Sequence, residues 1–533
     1  MPLICRETND VLHRRGHEVL SGFLDGKTST TYKPASKKEE EPVIPAPEIF
    51  QNDLSKRSLR GLPTVTDCAI HLEFLETLFV LREKILRSDA IDKSMGIALA
   101  RETKTGFKGD SKTLKDTTFE TRRREKWPKY IEFAVVRFLD WQGNLSKDSD
   151  LSVDVPPLDV LMVWHAFLLN PLLFNTHFRD RPIYSLPFPW ATIHACIDSR
   201  DWTFRHPDEK TSSTANLFAL FSEWITHISP GVSADDKLKS SLLVSSFSFV
   251  SAPPTASITA LRDSLEEASE SNPIVYHADM FQRVRRTKGF LPISPQPKPA
   301  DLKPKTTIFQ SLLSPSSPPP AAAATEPKPD PTLATELFDA VLRQNSFIDK
   351  MSNHLWIRSP ALAGTLRRSI ERYSSFLQLL RLDDKKQSGG KKTEEKKRGM
   401  MVPTLDIDLA WHTHQCSGGR QYVAATKTLV GRFINHDDTI EGETLGDGAT
   451  ETRRLWRLRF GSEYRKCGCW DCEMLMDEME AAVAVAGRGE GGEEGEVDMK
   501  EVVARVDKKV RFYRAVEAAR RKGKPLPNKE ELQ

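Results

Sequence analysis

The stretch Pro403-Thr404-Leu405-Asp406-Ile407-Asp408-Leu409-Ala410-Trp411-His412 decides how this chain is read, because the chain says it twice. The earlier copy is Pro156-Pro157-Leu158-Asp159-Val160-Leu161-Met162-Val163-Trp164-His165. Both follow Pro-x-Leu-Asp-x4-Trp-His without a gap, roughly 250 residues apart. A long-range repeat built on scarce residue types points to duplicated architecture. Leu158, Asp159, Trp164 and His165, with Leu405, Asp406, Trp411 and His412, are therefore the repeat motif on which any shared chemistry would sit. Proline ahead of an apolar run suits a helix start. Asp159 and Asp406 then fall in the first turn, where a carboxylate meets free N–H groups and the positive end of the helix dipole. Trp and His follow one and two turns later, so their plain reading is a core aromatic and a hydrogen-bonded buried imidazole.

The repeat reaches upstream. Lys129-Tyr130-x-x-Phe133 matches Arg372-Tyr373-x-x-Phe376, each ahead of its own motif. Helical periodicity marks Leu72 to Ile85 behind a Thr66-Asp67 cap, and Lys129 to Trp141 with Phe133, Val136 and Phe138 inward. It marks 214–228, Ala334–Met351, Ala361–Leu382 and a basic helix over about 499–522 as well. Residues 105–124 read as a polar, basic loop. The expected fold is mainly α, with two related helical halves joined by a Pro-rich disordered linker. The expected organisation is a disordered arm over 1–60, a first helical half over 61–230 and a Ser/Pro-rich linker over 231–332. A second half follows over 333–480, with an inserted Lys/Gly loop at 383–400 and a Cys cluster. A Gly/Glu linker and the basic C-terminal helix occupy 481–533.

The 533 residues carry a net charge of +3 with 28% charged residues, which makes no global electrostatic case for nucleic acid. The N-terminal residues are not a basic segment followed by an apolar one, and no apolar run reaches the ~20 residues needed to cross a bilayer. Seven scattered cysteines suit a reducing compartment, so cytosol or nucleus is the expected location, with no membrane partner. There is no Walker A loop, no Gly-x-Gly-x2-Gly after a strand, no Gly-x-Ser-x-Gly elbow and no His-Glu-x2-His. The basic C-terminal helix (Lys508, Lys509, Arg511, Arg514, Arg520, Arg521, Lys522, Lys524) is the one feature that would contact RNA or an acidic partner, and a solvated basic tail is its plain reading.

Two clusters carry metal-ligand chemistry. In the second copy, Asp408 and His412 are one turn apart and share a helix face, whereas His412 and His414 point about 200° apart on a regular helix. Downstream lies Asn435-His436-Asp437-Asp438. Asp408, His412, His414, His436 and Asp437 together make an imidazole–carboxylate set that suits Zn or non-haem Fe. The first copy is poorer, with Phe167 where the second has His414. The other cluster is Cys467-Gly-Cys469-Trp-Asp-Cys472, three thiols that can converge on one Zn with His436 or Cys416 as a fourth ligand.

Read together, the motifs resemble those of the plant and fungal glycine-rich domain-containing protein family. The resemblance is carried by Pro156–Pro171, Arg343-Gln-Asn-Ser-Phe347, Pro403–Tyr422, Gly431–Asp438 and Tyr464–Glu473, and spans roughly 63–230 and 333–480. It implies a helical region with repeated Leu-Asp-x4-Trp-His segments and no established reaction. Some relatives carry an RNA-recognition domain, but its aromatic motif is missing here, so RNA binding is not carried over. The expected function is that of a non-enzymatic regulatory or scaffold protein with a structural zinc site and unidentified protein partners. The alternative is a Zn- or Fe-dependent hydrolase or oxygenase centred on His412, His414 and His436.

Overall fold

Thr64 and Asp67 open the first long helix by satisfying each other. The Asp67 carboxylate accepts the Thr64 N–H at 3.0 Å and its hydroxyl at 2.8 Å, while the Thr64 hydroxyl oxygen accepts the Asp67 N–H at 3.0 Å. This reciprocal cap starts α1 (Val65–Arg87) just ahead of the expected Thr66-Asp67 cap. Thr66 instead donates to the carbonyl of Ile49 at 2.8 Å. The periodic residues Leu72, Leu75, Leu78 and Ile85 are buried, as their spacing requires.

The computed structural model describes residues 44–51, 61–89, 92, 103–105, 111–113, 119–124, 126–143, 145–146, 151, 155–205, 331–385, 400–439, 442–486 and 498–532. Within them the chain is mainly helical. After α1 come α2 (Phe119–Arg124), α3 (Lys126–Gly143), α4 (Leu158–Leu168), α5 (Pro171–Phe178) and α6 (Trp190–Cys196). Then follow α7 (Pro331–His354), α8 (Leu362–Lys385), α9 (Leu405–Gln415), α10 (Gly419–Val430), α11 (Gly442–Phe460), α12 (Trp470–Ala486) and α13 (Met499–Arg521). Strands among the described residues are short: β1 (Thr103–Thr105), β2 (Ser111–Thr113), β3 (Ile197–Asp198) and β4 (Thr203–Phe204). β1 and β2 pair antiparallel, Lys104 opposite Lys112, so the described part of 105–124 holds a strand and the helix α2 rather than loop alone. The expected helix at 214–228, the linker up to 330 and most of the Lys/Gly loop lie outside the described residues, as do the side chains of Phe133 and Val136.

The chain gathers into two compact units, each assembled from separated stretches. One comprises Leu78–Ile183 with Thr203–Asn345. Here α3 packs against α4, and α4 against α5. Every residue of α4 from Asp159 to Leu168 is buried. The rings of Phe138, Phe167 and Phe174 meet Phe178 at centroid distances of 5.4 to 6.1 Å, mostly edge to face, and Trp141 covers Trp164 at 5.4 Å.

The other unit joins residues up to Thr77, Tyr184–Trp202 and Ser346 onward. Its strut is α8, which packs against α9, α10, α11 and α12, while α12 packs against α13. The C-terminal helix is not a solvated tail. Its Val502, Val506 and Val510 sit in one apolar cluster with Trp470, Met474 and Leu475. Residues 44–51, expected as part of a disordered arm, are docked as well: Phe50 stacks on His194 at 4.1 Å and the carbonyl of Ile44 accepts Arg358 Nη1 at 2.6 Å. Among the described residues, no single helix is long and apolar enough to cross a membrane.

Candidate metal centre

The Trp-His helix of the second copy is fixed at its start by an arginine from α8. Arg372 gives Nε to the Asp406 carboxylate at 2.6 Å, and Nη2 to the Thr404 hydroxyl at 3.1 Å and to the Tyr464 carbonyl at 2.7 Å. Its guanidinium also lies over the Trp456 ring at 5.0 Å. The first copy has a similar pair from a different position, Arg137 Nε at 3.5 Å from Asp159. The helix-capping reading of the two aspartates is thus incomplete. Neither helix start, at Pro157 or Thr404, has a side-chain cap bond, and each carboxylate turns toward an arginine.

Two residues beyond Asp406, on another face of α9, Asp408 begins the site. As the one-turn spacing requires, its Oδ1 lies 3.3 Å from His412 Nε2. The third member arrives on the turn after α10: His436 Nε2 lies 3.2 Å from His412 Nε2 and 3.7 Å from Asp408 Oδ1. A relay of buried hydrogen bonds holds that turn. Trp411 Nε1 donates to the Tyr422 hydroxyl at 2.8 Å, and Tyr422 donates to the carbonyl of Ile434 at 3.0 Å. Each such bond contributes about 1 kcal/mol. The repeated tryptophan therefore does more than fill the core, since it ties the helix carrying His412 to the turn carrying His436. Phe347 of α7 closes the other side, with its ring 4.3 Å from that of His412.

The three side chains differ in exposure, 3% for His412, 11% for His436 and 22% for Asp408, but Asp408 Oδ1, the oxygen that faces the imidazoles, is itself buried. Burial alone would push the Asp408 carboxyl up. The His412 and His436 imidazoles, with Lys350, outweigh it and hold the carboxyl below its ordinary value. The ligand atoms of Asp408, His412 and His436 all lie within 4.8 Å of one another.

The other two residues of the expected set are elsewhere. α9 runs unbroken through Gln415, so His414 points away from His412. His414 Nδ1 lies 2.8 Å from the Tyr373 hydroxyl, and burial pushes the imidazole down to about 4, leaving it neutral. Asp437 is exposed and accepts the N–H and hydroxyl of Thr439 at 3.0 and 2.6 Å, closing its own turn. In the first copy, His165 is buried on α4, and Leu161 stands one turn before it where the second copy has Asp408.

The cysteines form a second group. The sulfurs of Cys467, Cys469 and Cys472 also lie within 4.8 Å of one another, each residue half-buried. Cys467 and Cys469 lie on the turn before α12, and Cys472 in its first turn. That turn is held by the segment His354–Trp356: Trp356 Nε1 donates to the Gly468 carbonyl at 2.6 Å, and a Cβ at Gly468 would meet the Trp356 ring at 2.7 Å. Trp470 Nε1 in turn donates to the carbonyl of His354 at 3.1 Å. S–H bonds from Cys469 and Cys472 hold the Cys467 sulfur well below the ordinary thiol range, while bonds to Cys467 and Cys469, with burial, push Cys472 up. Neither residue considered as a fourth ligand joins them. His436 faces Asp408 and His412, and Cys416 is wholly buried with its carbonyl accepting the Phe188 N–H at 2.9 Å.

Comparison with known proteins bears on the same helices. Residues 319–420 match the family model described as Glycine-rich domain-containing protein-like. The chain carries a glycine-rich domain-containing protein-like region. Glycine-rich domain-containing protein 1 of Arabidopsis thaliana is 31% identical over 137 residues, which is 25% of this chain and 15% of that protein. Glycine-rich domain-containing protein 2 of the same plant is 35% identical over 107 residues, 19% of this chain and 12% of its own length. The matches thus span a small part of those relatives. No solved structure matches significantly. The glycine-rich domain-containing protein-like region contains Phe347, Arg372, Tyr373, Asp406, Asp408 and His412, while His436 and the three cysteines lie beyond it. Tyr422 and Phe347 enter the sequence reading only as the ends of the matched stretches Pro403–Tyr422 and Arg343–Phe347, and Lys350 not at all; the helical phase of Phe347 on α7 is the sign that it reaches the site.

Proposed function

We propose that this glycine-rich domain-containing protein-like chain is a metal-dependent protein whose Asp408, His412 and His436 hold one divalent ion, zinc in kind, in an open site suited to hydrolysis. The observation that carries this reading is the spacing of the three ligand atoms, 3.2, 3.3 and 3.7 Å. Bonds of ~2.05 Å to a tetrahedral zinc put ligand atoms ~3.4 Å apart, whereas six-coordinate geometry with the same bonds puts neighbours ~2.9 Å apart. The spread supports the tetrahedron. Three protein ligands leave a fourth position for a water, and Asp408, the most accessible of the three side chains at 22%, is the side from which it would arrive. Such an ion supplies a nucleophile by lowering the pKa of its water to about 7. Lys350, whose charge acts on Asp408, is a cation available to an anionic group on a substrate.

A regulatory or scaffold role is the second reading, and the depth of His412 beneath Phe347 favours it, because a fully enclosed ion would be structural. Cobalt separates the two. The zinc-free chain with Cys467→Ser/Cys472→Ser, loaded with Co²⁺, is expected to show the visible bands of a four-coordinate site, and azide is expected to shift them by taking the open position. Bands insensitive to azide would leave the scaffold reading. Failure of Asp408→Asn and His412→Ala to reduce cobalt or zinc content, measured by elemental analysis, would remove the centre altogether.

A further inference from the structure

We infer that Cys467, Cys469 and Cys472 form a second metal site, independent of the first, which takes one thiophilic ion of the zinc class through three thiolates and leaves a fourth position to solvent. Three arguments carry it. The first is convergence. Zinc–thiolate bonds of ~2.3 Å place sulfurs ~3.8 Å apart, so a trio already within 4.8 Å closes on an ion through side-chain movement of under about 1 Å each. The second is the rigidity of the turn. The Trp356 indole against Gly468 and the Trp470 indole on the His354 carbonyl hold the middle of Cys467–Cys472, so the ligands are gathered before an ion arrives. Preorganised ligands lose less entropy on binding. The third is selectivity within the chain. Cys68, Cys196 and Cys416 are buried singly, whereas these three are half-buried together, open enough to exchange an ion and soft enough to prefer zinc or cadmium to magnesium or calcium.

Binding proceeds by loss of the thiol protons to solvent and formation of three metal–sulfur bonds, with no change of oxidation state. The consequence is mechanical. Cys472 lies in the first turn of α12, and the residue after it, Glu473, receives Arg368 of α8 at 2.7 Å. A bound ion therefore pins the start of the helix on which α13 packs.

The test uses the full chain, reduced and freed of metal. Cadmium is expected to raise a near-ultraviolet thiolate charge-transfer band that saturates at one ion, unchanged in His412→Ala/His436→Ala and lost in Cys467→Ser/Cys472→Ser. The unsubstituted chain gives a readout that needs no variant. Alkylation by iodoacetamide, mapped by mass spectrometry, is expected to label Cys467, Cys469 and Cys472 without metal, to be lost at all three with zinc, and to return with a chelator. The inference is overturned if cadmium gives no thiolate band in the folded chain, if the band survives loss of Cys467 and Cys472, or if zinc leaves alkylation of the three unchanged. Because the histidine variant tests the other centre separately, either site can fail alone.

Discussion

Asp159 holds a poorly compensated charge. It is 1% exposed, and burial pushes its carboxyl above the ordinary range, with Arg137 at 3.5 Å only partly restoring it. A folded-state pKa raised above the unfolded value means that the folded form binds the proton more tightly. The resulting stability is present in full below the unfolded value of about 3.9 and is lost as pH rises through the higher folded value. Asp159→Asn removes this dependence. Measured by urea unfolding from pH 4 to 7, wild type is expected to lose stability relative to the variant as pH rises. The opposite slope would mean that Arg137 governs the site. The contrast with Asp406 is instructive, because Arg372 meets that carboxylate with a well-formed bond at 2.6 Å. The repeated Asp was legible in the sequence, but its partner was not. Arg137 and Arg372 occupy different positions relative to the matched Tyr130 and Tyr373, so alignment of the copies hid the pairing.

Among the elements, α8 concentrates the connections of its unit on two adjacent turns. Arg368 reaches Glu473 at 2.7 Å and Asp477 at 2.5 Å on α12, and one turn later Arg372 reaches Asp406, Thr404 and the Tyr464 carbonyl. Gly364 lets α12 come close, since a Cβ there would collide with the Asp477 carboxylate. Replacing Arg372 by Met keeps the apolar stem and leaves Asp406 and the Tyr464 carbonyl unpaired. The expected loss is about 2–4 kcal/mol in chemical denaturation, less than the fully buried case because Asp406 is 20% exposed. A loss below about 0.5 kcal/mol would mean the fork is replaced by water. Periodicity foretold α7 and α8 to within a few residues, because each has an apolar face that must be buried, whereas α13 was expected as a basic helix in solvent and its buried valines were missed. Spacing along α9 likewise foretold that Asp408 and His412 would share a face. That His436 joins them could not be read the same way, since a loop residue has no periodicity and its place depends on the Trp411–Tyr422–Ile434 relay.

At the scale of the whole molecule, folding need not follow the order of the chain. The unit that carries both candidate centres draws on stretches far apart in sequence, and local periodicity carries no record of such pairings. His71 Nδ1 lies 2.8 Å from the Thr413 hydroxyl, inside the helix that bears His412. The Phe188 N–H reaches the Cys416 carbonyl at 2.9 Å, the carbonyl of Ser185 accepts Gln421 Nε2 at 2.8 Å, and Arg358 bonds the carbonyls of Ile44 and Ser199. A fragment of residues 331–533 would keep α8, α9 and both ligand clusters but lose all these partners. It would uncover the wholly buried side chains of Thr413 and Cys416, and leave the Arg358 guanidinium, 3% exposed, without its carbonyl acceptors. Alone, the fragment is expected to be helical by far-ultraviolet circular dichroism, to lack the near-ultraviolet signal of fixed tryptophans, and to unfold without a sharp transition. Co-expression with residues 1–205 is expected to restore a cooperative transition and co-purification of the two pieces. A fragment that unfolds as sharply alone as in the intact chain would show that the contacts to Ile44, His71, Ser185, Phe188 and Ser199 contribute little, and that the second repeat folds from its own helices.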